Sequence, residues 1–141
     1  MEDNILISLT SVQWQDKEKS ETELLTKAKC RREGKSCIIS YEDTEATGFD
    51  GSVTTIKVEG NKQASIIRSG TANSVLSLET DKKHFCQYGT PYGILQIGVF
   101  THDIRNTLDK DGRLYMKYTL DLNSSYLSDN EIILQIKNIE Q

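Results

Sequence analysis

Hydrophobic side chains recur at every second position along most of this chain, the repeat of a strand with one face in a core and the other in water. The alternation is cleanest where Leu114, Met116, Tyr118, Leu120 and Leu122 interleave with Tyr115, Lys117, Thr119 and Asp121. Ile132, Leu134 and Ile136 repeat it against Gln135 and Lys137. Ile5, Ile7 and Leu9 share one face near the start, and Cys37, Ile39 and Tyr41 share another. Strands with one wet face belong to antiparallel sheets. Turn residues separate them at short intervals: Glu33-Gly34, Gly60-Asn61 and Asp111-Gly112 suit tight hairpins. Thr90-Pro91-Tyr92-Gly93 suits a type I turn. The pattern predicts about ten strands, near 4–14, 21–32, 36–43, 52–59, 63–69, 73–80, 84–89, 93–107, 112–122 and 131–139. Short connections between successive strands favour a meander. A meander this long is expected to close, which also removes its exposed edges. The expected architecture is all-β, a single antiparallel barrel domain spanning residues 1–141.

One segment resists this pattern. Ser20-Glu21-Thr22-Glu23 reads as a helix capping box, and Glu21 to Arg32 is rich in helix formers. Leu24, Thr26, Ala28 and Cys30 also alternate as in a strand. Local signals leave helix and strand both open here.

With 141 residues, 36% of them hydrophobic and 27% charged, the chain can bury a core without disulfides or metals. A net charge of −4 gives no global attraction to nucleic acid or to anionic membrane, and neither is expected as a partner. Met1-Glu2-Asp3-Asn4 lacks the basic start of a secretory leader, and no apolar run reaches the length of a membrane span. Cys30, Cys37 and Cys86 form neither an even framework nor a CxxC pair, so reduced thiols in the cytoplasm are expected.

Candidate chemistry is sparse. His84 and His102 are the two histidines, and no HxH, HxxxH or CxxC spacing supports a metal, so no metal and no cofactor are expected. His102 and Asp103 are adjacent on a strand, so their side chains diverge and cannot form a dyad. Asp109-Lys110-Asp111-Gly112 lacks the later ligands of a calcium loop and reads as a hairpin turn. Lys27, Lys29 and Arg31 share a strand face without interleaved aromatics, the mark of a solvated outer face. Tyr41, Tyr88, Tyr92, Tyr115, Tyr118 and Tyr126, with Trp14, either fill a barrel or line a cavity in it. No nucleophile elbow or phosphate loop is present, so no catalytic residue is assigned and a non-enzyme is favoured. Arg68 shares a face with Ala64 and Ile66, yet Ile67 lies on the other face, so periodicity does not choose its side. Facing inward, it would clamp a carboxylate or phosphate, or form an internal ion pair. Facing outward, it would be solvated.

The order of several segments resembles the YwiB-like family of small bacterial proteins, a domain of unknown function with a calycin-like (lipocalin-like) β-barrel. The resemblance is carried by Ile5-Leu6-Ile7-Ser8-Leu9-Thr10-Ser11-Val12, Ile39-Ser40-Tyr41-Glu42, Thr55-Ile56-Lys57-Val58 and Ile67-Arg68-Ser69-Gly70. Thr90-Pro91-Tyr92-Gly93 followed by Leu95-Gln96-Ile97-Gly98-Val99 and Thr101 extends it, as do Gly112-Arg113-Leu114, Tyr118 and Leu134-Gln135-Ile136. It implies a strand over Glu21–Arg32 and an inward Arg68 at the barrel rim, where the family keeps Arg-x-Gly. It brings no activity. The leading functional reading is binding of a small, partly apolar or anionic ligand, with Arg68, Tyr92, Tyr118, Tyr41 and His102 as candidate contacts. An interaction module or homodimer is the alternative, and an enzyme with its site assembled from separate strands comes third. A two-residue loop at Glu33-Gly34 would set Cys30 opposite Cys37, within disulfide range, and a longer loop would shift that register.

Overall fold

A computed structural model describes residues 5–44, 50–71, 73–90 and 92–137. Each alternating segment is a strand: β1 (Ile5–Gln15), β2 (Glu18–Glu33), β3 (Ser36–Glu42), β4 (Ser52–Glu59) and β5 (Gln63–Gly70). There follow β6 (Ser74–Glu79), β7 (Lys83–Thr90), β8 (Gly93–Thr107), β9 (Arg113–Leu122) and β10 (Ser125–Lys137). Each pairs antiparallel with the next, and β1 pairs with β10 through Leu6–Trp14, closing the meander into a barrel. The ambiguous segment from Glu21 to Arg32 lies wholly within β2.

Two details depart from the sequence reading. β10 begins at Ser125 rather than near 131, because Asn123 and Ser124 both take positive φ (53° and 70°) and make a two-residue turn. The polar residues Ser125, Ser128, Asp129 and Asn130, which read as loop, therefore belong to a strand. The β2–β3 loop is Gly34-Lys35, not Glu33-Gly34, since Glu33 pairs with Ser36 and Gly34 supplies φ 59° at the first loop position. This register sets Cys37 opposite Arg32 and Cys30 opposite Ile39, so the two cysteines are diagonal rather than directly opposed. The expected Thr90–Gly93 turn includes Pro91, which lies outside the described residues.

The barrel has two ends. At the base, Ile7, Ala28, Ile39, Ile56, Val58, Leu78, Val99, Leu114, Met116 and Leu134 are almost completely buried. All but Ala28 are large aliphatic side chains that each contribute about 1.5–3 kcal/mol on full burial. The other end, the mouth, carries the β1–β2, β3–β4, β5–β6, β7–β8 and β9–β10 connections.

The wall is thin in two places. The β2–β3 ladder stops at Lys29 opposite Ser40, so among the described residues Glu18–Ala28 pair with β1 alone. β6 and β7 are joined by one pair, Ser74 opposite Tyr88. Across that seam His84 Nε2 lies 2.8 Å from Glu79 Oε1, and the Ser77 backbone N–H reaches Cys86 Sγ at 3.4 Å.

Candidate functional site

Polar side chains converge inside the mouth because the strands keep the same phase there. Tyr41, Thr54, Arg68 and Ser74 are successive cross-strand partners on β3, β4, β5 and β6, and therefore share one face. That face is the interior: Ile39, Ile56 and Ile66 are its buried members, while Ile67 on the opposite face is 36% exposed. Arg68 thus points inward. Asp43, two residues beyond Tyr41, is buried beside this row with no side-chain exposure.

The Thr54 hydroxyl donates to Asp43 Oδ2 at 2.6 Å, and Arg68 Nε donates to Thr54 Oγ1 at 3.0 Å. Arg68 Nε also stands 3.5 Å from Asp43 Oδ2, closing an ion pair whose arginine retains 17% exposure. A buried charge needs such partners. Burial pushes the Tyr41 phenol up to about 12, and the neighbouring Asp43 carboxylate adds to this while Arg68 opposes it. Gly70 ends the strand two residues later at φ 125°, where a Cβ would lie 2.5 Å from the Gly51 carbonyl oxygen. Only glycine allows the β3–β4 connection to approach β5 this closely.

The facing wall is a second polar row. Tyr118 on β9 pairs with Asn130 on β10, Asn130 with Gln13 on β1, and Gln13 with Ser20 on β2. Asn130 Nδ2 donates to Ser128 Oγ at 3.0 Å. Between the two walls lies a cavity of about 310 Å³, with Leu9, Ile56, Ile66 and Ile132 among its apolar lining and Ser11, Gln13, Thr22, Tyr41, Arg68, Tyr118 and Asn130 among its polar lining. Tyr41 and Asp43 also line a second space of about 410 Å³ in the split between β2 and β3. This set, to which Glu131 also belongs, offers hydroxyls, amides, one guanidinium and one acidic residue over an aliphatic surface, the composition of a small-molecule pocket.

Of the five candidate contacts, Arg68, Tyr41 and Tyr118 come together in this cavity. Tyr92 does not, being 99% exposed on the β7–β8 turn. His102 does not either. A bulge sets Thr101 opposite Tyr118 and Asp103 opposite Lys117, leaving His102 as the extra residue on the outer surface. There its Nε2 meets Thr119 Oγ1 at 2.6 Å, and Thr119 donates to Asp129 at 2.5 Å. The bulge has a packing cause, because it returns Ile104, 2% exposed, to the core phase. Among the described residues no group of three or more His, Cys, Asp or Glu side chains is arranged to hold a metal ion. No helix among them is long and apolar enough to cross a membrane.

A family profile for a domain of unknown function, DUF1934, matches residues 7–134. The chain belongs to this family. The crystal structure of the ywiB protein from Bacillus subtilis is similar to it, with a TM-score of 0.71 over 98% of this chain and 96% of that one, at 20% sequence identity. No curated protein matches. At that identity the likeness shows the fold alone.

In this DUF1934 domain, sequence reading missed Asp43, Thr54, Ser11, Gln13, Thr22 and Asn130 as site residues. A signal for most of them was present. Following the core phase from base to mouth, Ile7 and Leu9 give way to Ser11 and Gln13, and Val58 and Ile56 give way to Thr54 and Ser52. Leu134 and Ile132 likewise give way to Asn130 and Ser128.

Proposed function

We propose that this protein binds a small, partly apolar molecule in the barrel mouth, with hydrogen-bond-accepting oxygens directed at Arg68 and an apolar portion against Leu9, Ile56, Ile66 and Ile132. The observation that carries the reading is the cavity of about 310 Å³, at the lower end of small-ligand volumes, whose polar lining comes from separate strands in one phase. Asp43 offsets the charge of Arg68, so a ligand with a single carboxylate or phosphate, or a neutral one with carbonyl oxygens, suits the site better than a polyanion. The lipocalin-like character of a meander barrel with an internal mouth cavity supports this reading. Binding without catalysis is the favoured form, since the cavity lining includes neither histidine nor cysteine. Three cysteines without an even framework or a CxxC pair support a cytoplasmic location. Lys27, Lys29 and Arg31 lie on the outer face of β2 without a stacking aromatic, which argues against nucleic acid as the partner.

The test is native mass spectrometry of protein purified from cells, followed by titration of the emptied protein with small carboxylates, phosphates and ketones under NMR. Retained mass, or shifts confined to the mouth residues and abolished by the cavity-filling change Leu76→Trp at an apolar lining residue on β6, is the expected result. An absence of both retained mass and mouth shifts would overturn the reading.

A further inference from the structure

We infer that two copies of this chain associate through the free edge of β2, antiparallel across a two-fold axis at Leu25. Among the described residues β2 is bonded on one side to β1 from Glu18 to Ala28, while β3 covers its other side only from Lys29 onward. A strand edge left this long is a template for another strand. Its outward face reads Glu21, Glu23, Leu25, Lys27, Lys29, all exposed. Leu25 is 64% exposed, and its cross-strand neighbour on β1 is Ser8, so no apolar side chain sits opposite it.

The face is complementary to itself in one register. With Leu25 opposite Leu25 of the second copy, Glu23 stands opposite Lys27 and Lys27 opposite Glu23, and the pairing ends at Thr22 opposite Ala28, where β3 takes over the edge. Moving the axis to Leu24 sets Glu23 against Leu25 and so parts Leu25 from its own copy. Moving it to Glu23 sets Glu23 against itself and Lys19 against Lys27. Moving it to Thr26 leaves Leu25 against Lys27. The Leu25 axis alone among these joins the apolar residue to its own copy and both charges to opposite ones. Cross-strand pairs of this kind stabilise a ladder, and like charges directly opposed destabilise it. A single ladder buries little area, so the dimer is weak and its formation depends on concentration and salt. The inference does not rest on the ligand reading, because Glu23, Leu25 and Lys27 lie outside the mouth cavity of about 310 Å³.

Sedimentation equilibrium of the purified protein, run in a concentration series up to about 1 mM, tests it. The wild type is expected to pass from monomer to dimer. Glu23→Lys and Lys27→Glu, each placing two like-charge pairs across the axis, are expected to weaken the dimer about tenfold or more. The double reversal is expected to restore it, since opposite charges then meet again in this register. All three variants are expected to melt like the wild type because the positions are exposed. A wild type that stays monomeric throughout, a dimer indifferent to the single reversals, or a double reversal that fails to rescue overturns the inference.

Discussion

Replacing Arg68 with leucine isolates the structural role of this arginine, its ion pair with Asp43. In the folded protein Asp43 has no side-chain exposure, and its Oδ2 is held by the Thr54 hydroxyl at 2.6 Å and faced by Arg68 Nε at 3.5 Å. At an effective dielectric near 20, two charges at that separation attract by roughly 5 kcal/mol before desolvation is subtracted. Removing one partner of a buried pair costs about 3–5 kcal/mol, and the 17% exposure of Arg68 argues for the lower end, about 3 kcal/mol. For a domain of this size that lowers Tm by roughly 10 °C, while leaving it folded at room temperature. Asp43→Asn is expected to cost less, since the arginine left behind borders the cavity and can be hydrated, whereas the carboxylate left behind by Arg68→Leu is sealed. The double variant Asp43→Asn/Arg68→Leu is therefore expected to melt above Arg68→Leu alone. Thermal melts by circular dichroism read all three. A Tm for Arg68→Leu within about 2 °C of wild type, or a double variant no more stable than the arginine single, would refute the reasoning.

Two further outcomes follow from the same interior. The Tyr41 phenol ionises near 10 when unfolded and is pushed up to about 12 by burial, so both states are neutral below pH 10 and stability is unaffected there. Between pH 10 and 12 only the unfolded state ionises, and roughly 2–3 kcal/mol is lost. Tyr41→Phe should flatten this alkaline decline in denaturant titrations, and an unchanged slope counts against the assignment; Tyr115, also pushed up to about 12, leaves a residual decline. Burial likewise pushes the Cys37 thiol up to about 11, with Cys30 adding to it, so mass-mapped alkylation at neutral pH should label the half-buried Cys30 well before Cys37. Labelling of Cys37 at the rate of a free thiol would contradict that ordering.

The strands were legible because burial on one face writes a period of two into the chain, and nearly all of their boundaries follow from it. β10 was misjudged for the same reason. Ser128 and Asn130 occupy core-phase positions, and a polar residue in the core phase looks like the end of a strand when each segment is read alone. Aligned by phase against Ser11, Gln13 and Thr54, they become one feature, a change from apolar to polar at a common height in several strands. The pairing of Arg68 with Asp43 was illegible for another reason. It joins β5 to the end of β3 through Thr54, and no local signal ties those positions before the register is known. The diagonal placement of Cys30 and Cys37 depended on a one-residue choice of loop, which sequence could not make between two positions that both include Gly34.

The polar mouth is also difficult to explain as core. An eight-stranded barrel is just wide enough for its side chains to fill, and ten strands enclose more room. This chain spends its large aliphatic residues on the base, where Ile7, Ile39, Leu114, Met116 and Leu134 leave no exposure. At the mouth it places serine, threonine, asparagine and glutamine in the same phase, small or hydrated groups that add little hydrophobic stabilisation and leave space between the walls. Aliphatic residues there would extend the core. Their replacement by hydrogen-bonding groups around one ion-paired arginine is a local departure from what stability favours, and such departures cluster where a protein meets its ligand.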